Sequence, residues 1–303
     1  MPQERLRTLI AEVAAQRSVP GKGDFFARGD SIDRLEVVLA IEAALGITLD
    51  EAKLTTVRNL EDLDRAVEAE LAARASAPPA AASPALPSFA SPTSAQLPLA
   101  PWSGIITPPL CVGLRTWFRI RVTGAHHLPE DRGCLLCANH NSHLDSLALL
   151  VAAGRERPRL VFAAAKDYFF DRPRTAGLLA RVLPLIPWER GGNLAVMREN
   201  LRHLQACRAA NRMVVFYPEG SRSRDGTLQP FKEGLSFFAT QSGLPIVPVW
   251  IGGTHHSLAK GRRWPRPGQL SVQFGAPISP TNDPTELAKT VRTQMLALGS
   301  ASS

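Results

Sequence analysis

Apolar and polar positions along the 303-residue chain change their period once, near residue 100. Before that point the pattern is helical. Residues 4–17 read as a first helix. Ile32, Leu35, Val38, Leu39, Glu42 and Leu45 recur at the 3.6-residue period of a second, with Asp30 or Ser31 as N-cap and Gly46 at its end. A turn at 54–57 leads to a further amphipathic helix over 60–73. Short helices of this kind predict a small all-α bundle. Beyond residue 102 the chain changes character. Near-continuous apolar runs at 135–138, 160–163, 213–217, 246–251 and 270–274 read as strands, and helical segments such as 194–210 and 234–240 fall between them. Such alternation predicts an α/β domain with a largely parallel sheet covered on both faces.

The two patterns are separated by an island of composition. Residues 76–101 hold 8 Ala, 7 Pro and 5 Ser and no charged side chain. So little apolar surface cannot offset the entropy of ordering, and the prolines favour an extended backbone. We read a semi-stiff linker, able to reach roughly 80 Å at about 3.1 Å per residue. The expected division is therefore multidomain: 1–75, 76–101 and 102–303. Charge sharpens it. Residues 1–75 carry 10 basic and 14 acidic side chains, whereas 101–303 carry 25 basic and 13 acidic. An acidic module is joined to a basic one, and the two attract each other or seek different partners.

Composition narrows the class. With 45% hydrophobic and 20% charged residues, the chain is neither mainly disordered nor fibrous. Four cysteines are too few for a disulfide framework and fit a reducing, cytoplasmic compartment. The N-terminus shows no signal-peptide core. The longest apolar stretch, 102–120, is interrupted by Pro108, Pro109, Arg115 and Arg119, so no membrane span is expected. Residues 102–117 either lie in the membrane interface or pack on their own domain. A basic patch at 260–266 carries Trp264 and suits an anionic bilayer or the acidic module. No nucleic-acid-binding motif accompanies it, so no nucleic-acid partner is expected.

Three segments carry candidate chemistry. Asn139-His140-Asn141-Ser142-His143-Leu144-Asp145 follows an apolar strand. Its spacing lets Asp145 receive the imidazole N–H of His140, fix the tautomer and leave the other nitrogen as a general base. Pro187-Trp188-Glu189-Arg190-Gly191-Gly192 sets an arginine in a glycine-rich turn. Phe216-Tyr217-Pro218-Glu219-Gly220-Ser221-Arg222-Ser223 leaves another strand with a carboxylate and a second arginine, and arginine suits bidentate phosphate binding. Cys134 and Cys137, close to His140 and His143, superficially suggest zinc. Residues three apart on a strand point to opposite faces, so these read as buried structural thiols and no metal is expected. The pairs His126-His127 and His255-His256 read as solvated loop residues. At the other end of the chain, Gly29-Asp30-Ser31-Ile32-Asp33 sets a serine between carboxylates at a helix start. Asp30-Ser31 alone is equally an ordinary N-cap.

Residues 4–73, with Asp30-Ser31-Ile32 and Gly46-Ile47-Thr48-Leu49, resemble the acyl carrier and peptidyl carrier protein family. The resemblance implies a 4′-phosphopantetheine arm on Ser31, installed by a phosphopantetheinyl transferase. Residues 110–280 resemble the glycerophospholipid (lysophosphatidate-type) acyltransferase family through the His-x4-Asp segment, the arginine turn, Phe-Tyr-Pro-Glu-Gly-Ser-Arg-Ser and Val247-Pro248-Val249. Tyr217 is inserted within the family's usual Phe-Pro pair, and Ser221 replaces a threonine. The resemblance implies that His140 deprotonates the acceptor and that Asp145 orients it. It also implies that Arg190, Glu219, Gly220, Ser221 and Arg222 hold the acceptor's polar head, with Lys232 adding charge. The implied activity moves a fatty acyl group from a carrier or CoA thioester to a lysophospholipid or glycerol-phosphate hydroxyl, at a membrane surface to which the protein binds peripherally. Transfer to an amine or a non-glycerol hydroxyl remains open, as does an N-terminal module that only docks.

Overall fold

The computed structural model describes residues 31–50, 54, 57, 60–76, 103–170, 182–190, 194–232, 234–258, 264–281 and 283–301. The expected helix at 4–17, the cap at Asp30, nearly all of the linker, the glycines after Arg190 and most of the 260–266 patch lie outside them. By backbone contacts the chain divides into two compact units, Met1–Ser91 with Arg190–Glu199, and Pro92–Glu189 with Asn200–Ser303.

In the first unit, helix α1 spans Ser31–Leu45 and helix α2 spans Leu60–Ser76. Apolar side chains of the two helices converge: Val38, Ile41, Leu63 and Val67 are buried together with Ile47 and Leu49. Gly46 ends α1 at φ +63°, a left-handed conformation that glycine adopts without steric cost. Glu42, on the same period, is buried, and its Oε1 accepts the Leu49 N–H at 2.6 Å. A carboxylate thereby closes the loop that leaves the helix.

The remaining elements run in chain order as α3 (Ser103–Phe118), β1 (Arg121–Thr123), β2 (Cys134–Ala138), α4 (Leu144–Ala152), β3 (Leu160–Ala165), α5 (Lys166–Phe169), β4 (Leu185–Trp188), α6 (Leu194–Ala209), β5 (Met213–Phe216), α7 (Gly234–Ser242), β6 (Ile246–Gly252), α8 (Thr254–Ser257), β7 (Ser271–Phe274) and α9 (Pro284–Ser300). Seven strands form one sheet in the order β1-β7-β6-β2-β5-β3-β4. Every neighbouring pair is parallel except β6 with β7. The sheet is largely parallel, and its central strands are buried: β2 presents no exposed residue.

Three elements escape the periodic reading. Strand β1 has only three residues, and they alternate between exposed and half-buried. Strand β4 includes Pro187, which a sheet tolerates here because β4 is the edge strand beyond β3. Helix α9 is announced by Asp283, whose carboxylate accepts the N–H groups of Thr285 and Glu286 at 3.0 Å each, with Pro284 at the first helical position. Helix α3 continues through Pro108 and Pro109. Burial of Cys111 and Phe118 against the main core, with Ile106, Leu110 and Leu114 beside them, offsets the hydrogen bonds that the prolines remove. No helix among the described residues is long and apolar enough to cross a membrane.

The sheet positions the chemistry. Strands β2 and β5 are parallel neighbours in the register Cys137↔Phe216. The histidine and glutamate segments therefore leave adjacent strands at the same carboxyl end, where open α/β sheets form their sites.

Candidate active site

The loop after β2 turns directly into α4. Asp145, in the first turn of that helix, is completely buried. Its Oδ2 accepts the N–H groups of Asn141 at 2.6 Å and Ser142 at 2.7 Å, and faces His140 Nδ1 at 2.9 Å. Three donors on one oxygen lock the carboxylate, and its negative charge suits a helix N-terminus. A ring whose Nδ1–H donates to a carboxylate carries its free lone pair on Nε2. The His140 side chain is 20% exposed, enough for that nitrogen to meet a substrate. Ser142 closes the loop from outside: its hydroxyl donates to the Leu258 carbonyl at 2.6 Å.

The segment after β5 straps His140 from both sides of its backbone. The His140 N–H donates to Glu219 Oε1 at 2.6 Å, and the His140 carbonyl accepts the Ser223 N–H at 2.7 Å. The other Glu219 oxygen accepts the Gln229 N–H at 2.9 Å. Both carboxylate oxygens are thus bound to main chain, and burial raises the Glu219 pKa above its usual value despite those bonds. Glu219 thereby pins two loops together. Its turn is set by sequence: Pro218 follows Tyr217, and the Gly220 N–H returns to the Tyr217 carbonyl at 3.0 Å.

Lys232 lies against this turn. Gly220 sits at φ +68°, and the Lys232 side chain lies so close that a Cβ on Gly220 would stand 2.8 Å from its Cε and 3.1 Å from its Nζ. The Lys232 N–H is anchored to the Pro218 carbonyl at 2.9 Å. Arg222 is half-buried and Ser221 exposed. His143, half-buried, loses its proton readily: desolvation, with Arg222 and His140 nearby, lowers its pKa to about 4. Arg190 is exposed two residues past β4. Ser31 is the first residue of α1.

Sequence reading missed two features of the site. Tyr217 stacks on the His140 ring, with centroids 4.0 Å apart and planes 16° apart. Its signal was the departure from the Phe-Pro pair. Ser223 was quoted in the motif without a task, yet it ties the two loops together. The histidine pairs are also corrected in part. His127 is half-buried with Nδ1 2.9 Å from the Phe274 carbonyl, and the ring of the half-buried His255 packs against Gly226. The four cysteines are free and buried, and burial pushes the Cys134 thiol up to about 12. Among the described residues, no group of three or more His, Cys, Asp or Glu is arranged to hold a metal.

Comparison with known proteins gives two family matches. The acyltransferase family model matches residues 119–252, and the phosphopantetheine attachment site model matches residues 4–67. The chain is 31% identical over 170 residues to a 1-acyl-sn-glycerol-3-phosphate acyltransferase of Limnanthes douglasii, covering 55% of this chain and 58% of that protein. It is 32% identical over 186 residues to 1-acyl-sn-glycerol-3-phosphate acyltransferase alpha of Homo sapiens, covering 59% of this chain and 63% of that protein. It thus spans under two thirds of the curated relatives it matches. The crystal structure of the 1-acyl-sn-glycerophosphate (LPA) acyltransferase PlsC from Thermotoga maritima superposes with a TM-score of 0.51 at 25% identity, covering 63% of this chain and 76% of that one.

Proposed function

We propose that this chain, which joins a phosphopantetheine-attachment domain to a domain of the acyltransferase family, moves a fatty acyl group from a thioester to the free hydroxyl of a lysophosphatidate-type acceptor. The observation that carries the reading is the His140–Asp145 pair, held at 2.9 Å where β2 ends and strapped by the loop from β5. His140 Nε2 takes the acceptor hydroxyl proton as the oxygen attacks the thioester carbonyl. A C–O bond forms, the C–S bond breaks, and His140 returns the proton to the departing sulfur. Asp145 holds the tautomer and stabilises the imidazolium without itself being protonated. No acyl-enzyme is required.

Lys232, Arg222, Ser221 and Gly220 form the recognition set for the acceptor's phosphate. Charge-assisted bonds from guanidinium and ammonium groups suit that headgroup. Glu219 belongs to the scaffold of the base and not to the headgroup site. Among the cations, Lys232 is already drawn over Gly220, which supports its assignment.

The domain order supports a donor held on the protein itself. The reading keeps the boundaries 1–75, 76–101 and 102–303. Ser31 opens α1, and a helix N-terminus fits the phosphodiester of a 4′-phosphopantetheine arm. That group supplies a mobile thiol on which an acyl chain is carried as a thioester. Acyl-CoA serves as the alternative donor. Free, buried thiols fit a reducing cytoplasm. Helix α3 leaves Ile105 73%, Val112 66% and Trp117 55% exposed, which supports peripheral contact with a membrane surface.

The test is product analysis by mass spectrometry. Purified full-length protein is given acyl-CoA or an acylated carrier together with 1-acylglycerol 3-phosphate, an amine or a non-glycerol alcohol. The reading expects diacylglycerol phosphate from the wild type and none from His140→Ala. Product from an amine or a non-glycerol alcohol alone moves the acceptor class, and undiminished product from His140→Ala overturns the mechanism. Intact mass after coexpression with a phosphopantetheinyl transferase tests the carrier: a gain of one arm, lost in Ser31→Ala, is expected, and no gain leaves a docking module.

A further inference from the structure

The His140–Asp145 bond holds one nitrogen of the imidazole, but a single hydrogen bond still allows the ring plane to rock about its bond to Cβ. Something must hold the ring plane if Nε2 is to point at a substrate. Tyr217, the first residue after β5, lies on that face. Its ring is nearly parallel to the imidazole, 16° off, at a centroid distance of 4.0 Å. The hydroxyl does not end in solvent. It meets Ser146 Oγ at 2.8 Å, and Ser146 directly follows Asp145 in the first turn of α4. One side chain therefore touches the base through its face and the helix bearing the orienting carboxylate through its tip.

We infer that Tyr217 is a positioning residue for His140: its ring is a plate that sets the imidazole plane, and its hydroxyl, through Ser146, ties that plate to the helix that carries Asp145. The inference rests on the reading of His140 as general base and deepens it. A face-on aromatic also favours the imidazolium that forms when His140 takes a proton, since the ring's negative face attracts a cation. Burial of the phenol, with Asp145 close by, pushes its pKa well above 10, so the hydroxyl stays neutral and keeps its hydrogen bond across the working range. A phenylalanine here supplies the plate and lacks the tie; an aliphatic residue supplies neither.

The experiment compares Tyr217→Phe, Tyr217→Leu, Ser146→Ala and the Phe/Ala double variant in the full chain. Steady-state kinetics use acyl-CoA and 1-acylglycerol 3-phosphate. In parallel, proton NMR follows the downfield Nδ1–H resonance of His140, assigned by its loss in His140→Ala. Misplacing a reacting group by about 1 Å costs up to about a hundredfold, so Tyr217→Leu is expected to lower kcat roughly tenfold to a hundredfold with KM within about twofold. Tyr217→Phe and Ser146→Ala each lower kcat a few-fold, and the double variant adds nothing further because both remove one bond. The Nδ1–H signal stays sharp in Tyr217→Phe and broadens or vanishes in Tyr217→Leu. Wild-type kcat in Tyr217→Leu, a loss that falls on KM, or an unchanged Nδ1–H signal overturns the inference. Additive losses in the double variant overturn the tie through Ser146. A wild type that transfers no acyl group refutes the base reading by itself, while the NMR arm still reports whether Tyr217 orders the ring.

Discussion

Replacing Glu219 by glutamine separates a pin from a headgroup ligand. The two carboxylate oxygens accept the His140 N–H at 2.6 Å and the Gln229 N–H at 2.9 Å. A glutamine has one oxygen and one NH2, so in either orientation one of these part-buried N–H groups must face a donor. The shorter bond will keep the oxygen, which leaves the Gln229 N–H unpaired. An unsatisfied buried donor costs about 1–3 kcal/mol. In a domain of about 150–250 residues each kcal/mol lowers Tm by about 2–4 °C, which gives a fall of roughly 2–12 °C. Because the His140 contact survives, kcat should fall only a few-fold, and KM for lysophosphatidate should stay within about twofold. Differential scanning calorimetry and initial rates on the same preparation measure both. A Tm equal to wild type with a KM raised tenfold would show that Glu219 serves the substrate, and the argument from its two backbone bonds would be wrong.

Four further outcomes follow from the same geometry. Arg222→Ala should raise KM for a phosphate-bearing acceptor roughly tenfold to a hundredfold, because a charge-assisted contact contributes about 1.5–3 kcal/mol; an unchanged KM would remove Arg222 from the headgroup site. Gly220→Ala places a Cβ within 2.8 Å of Lys232 Cε at φ +68°, so it should displace the lysine and raise the same KM, with a Tm change as the control for backbone strain. His143 is neutral in the fold down to about 4, whereas an unfolded histidine binds a proton near its usual 6.5. Between those values the unfolded state holds more protons, so stability falls on acidification; urea melts at a series of pH values should show His143→Gln flattening this limb, and parallel curves would refute it. Ser31→Ala should abolish transfer from protein loaded on its own arm while sparing transfer from acyl-CoA, and in the wild type that single-turnover rate should not depend on protein concentration.

How much of the site was legible depends on sequence distance. The His140–Asp145 pair spans five residues, and the tendency of a loop to enter a helix after an apolar strand is local, so spacing alone placed the carboxylate against the imidazole. The bond from His140 to Glu219 spans 79 residues and depends on β2 and β5 being neighbours, an order that no local pattern encodes. For that reason Glu219 was legible as a site residue while its partner was not: a carboxylate beside an arginine in a turn reads as substrate chemistry until the sheet brings two amide groups to its oxygens. The same holds for local rules that tertiary packing overrides. Two consecutive prolines disfavour a helix interior, yet α3 continues through Pro108 and Pro109, with Cys111 and Phe118 buried in the core. By contrast, α9 carried a full N-terminal signal, Asp283 then Pro284, and local reading could have found it. Tyr217 belongs to neither group. Its departure from the motif was visible, but what the extra hydroxyl does follows only from the first turn of α4 meeting the loop after β5. Charged residues reveal the reaction a site performs. The neutral side chains that hold those charges at an angle emerge only when the strands are in place.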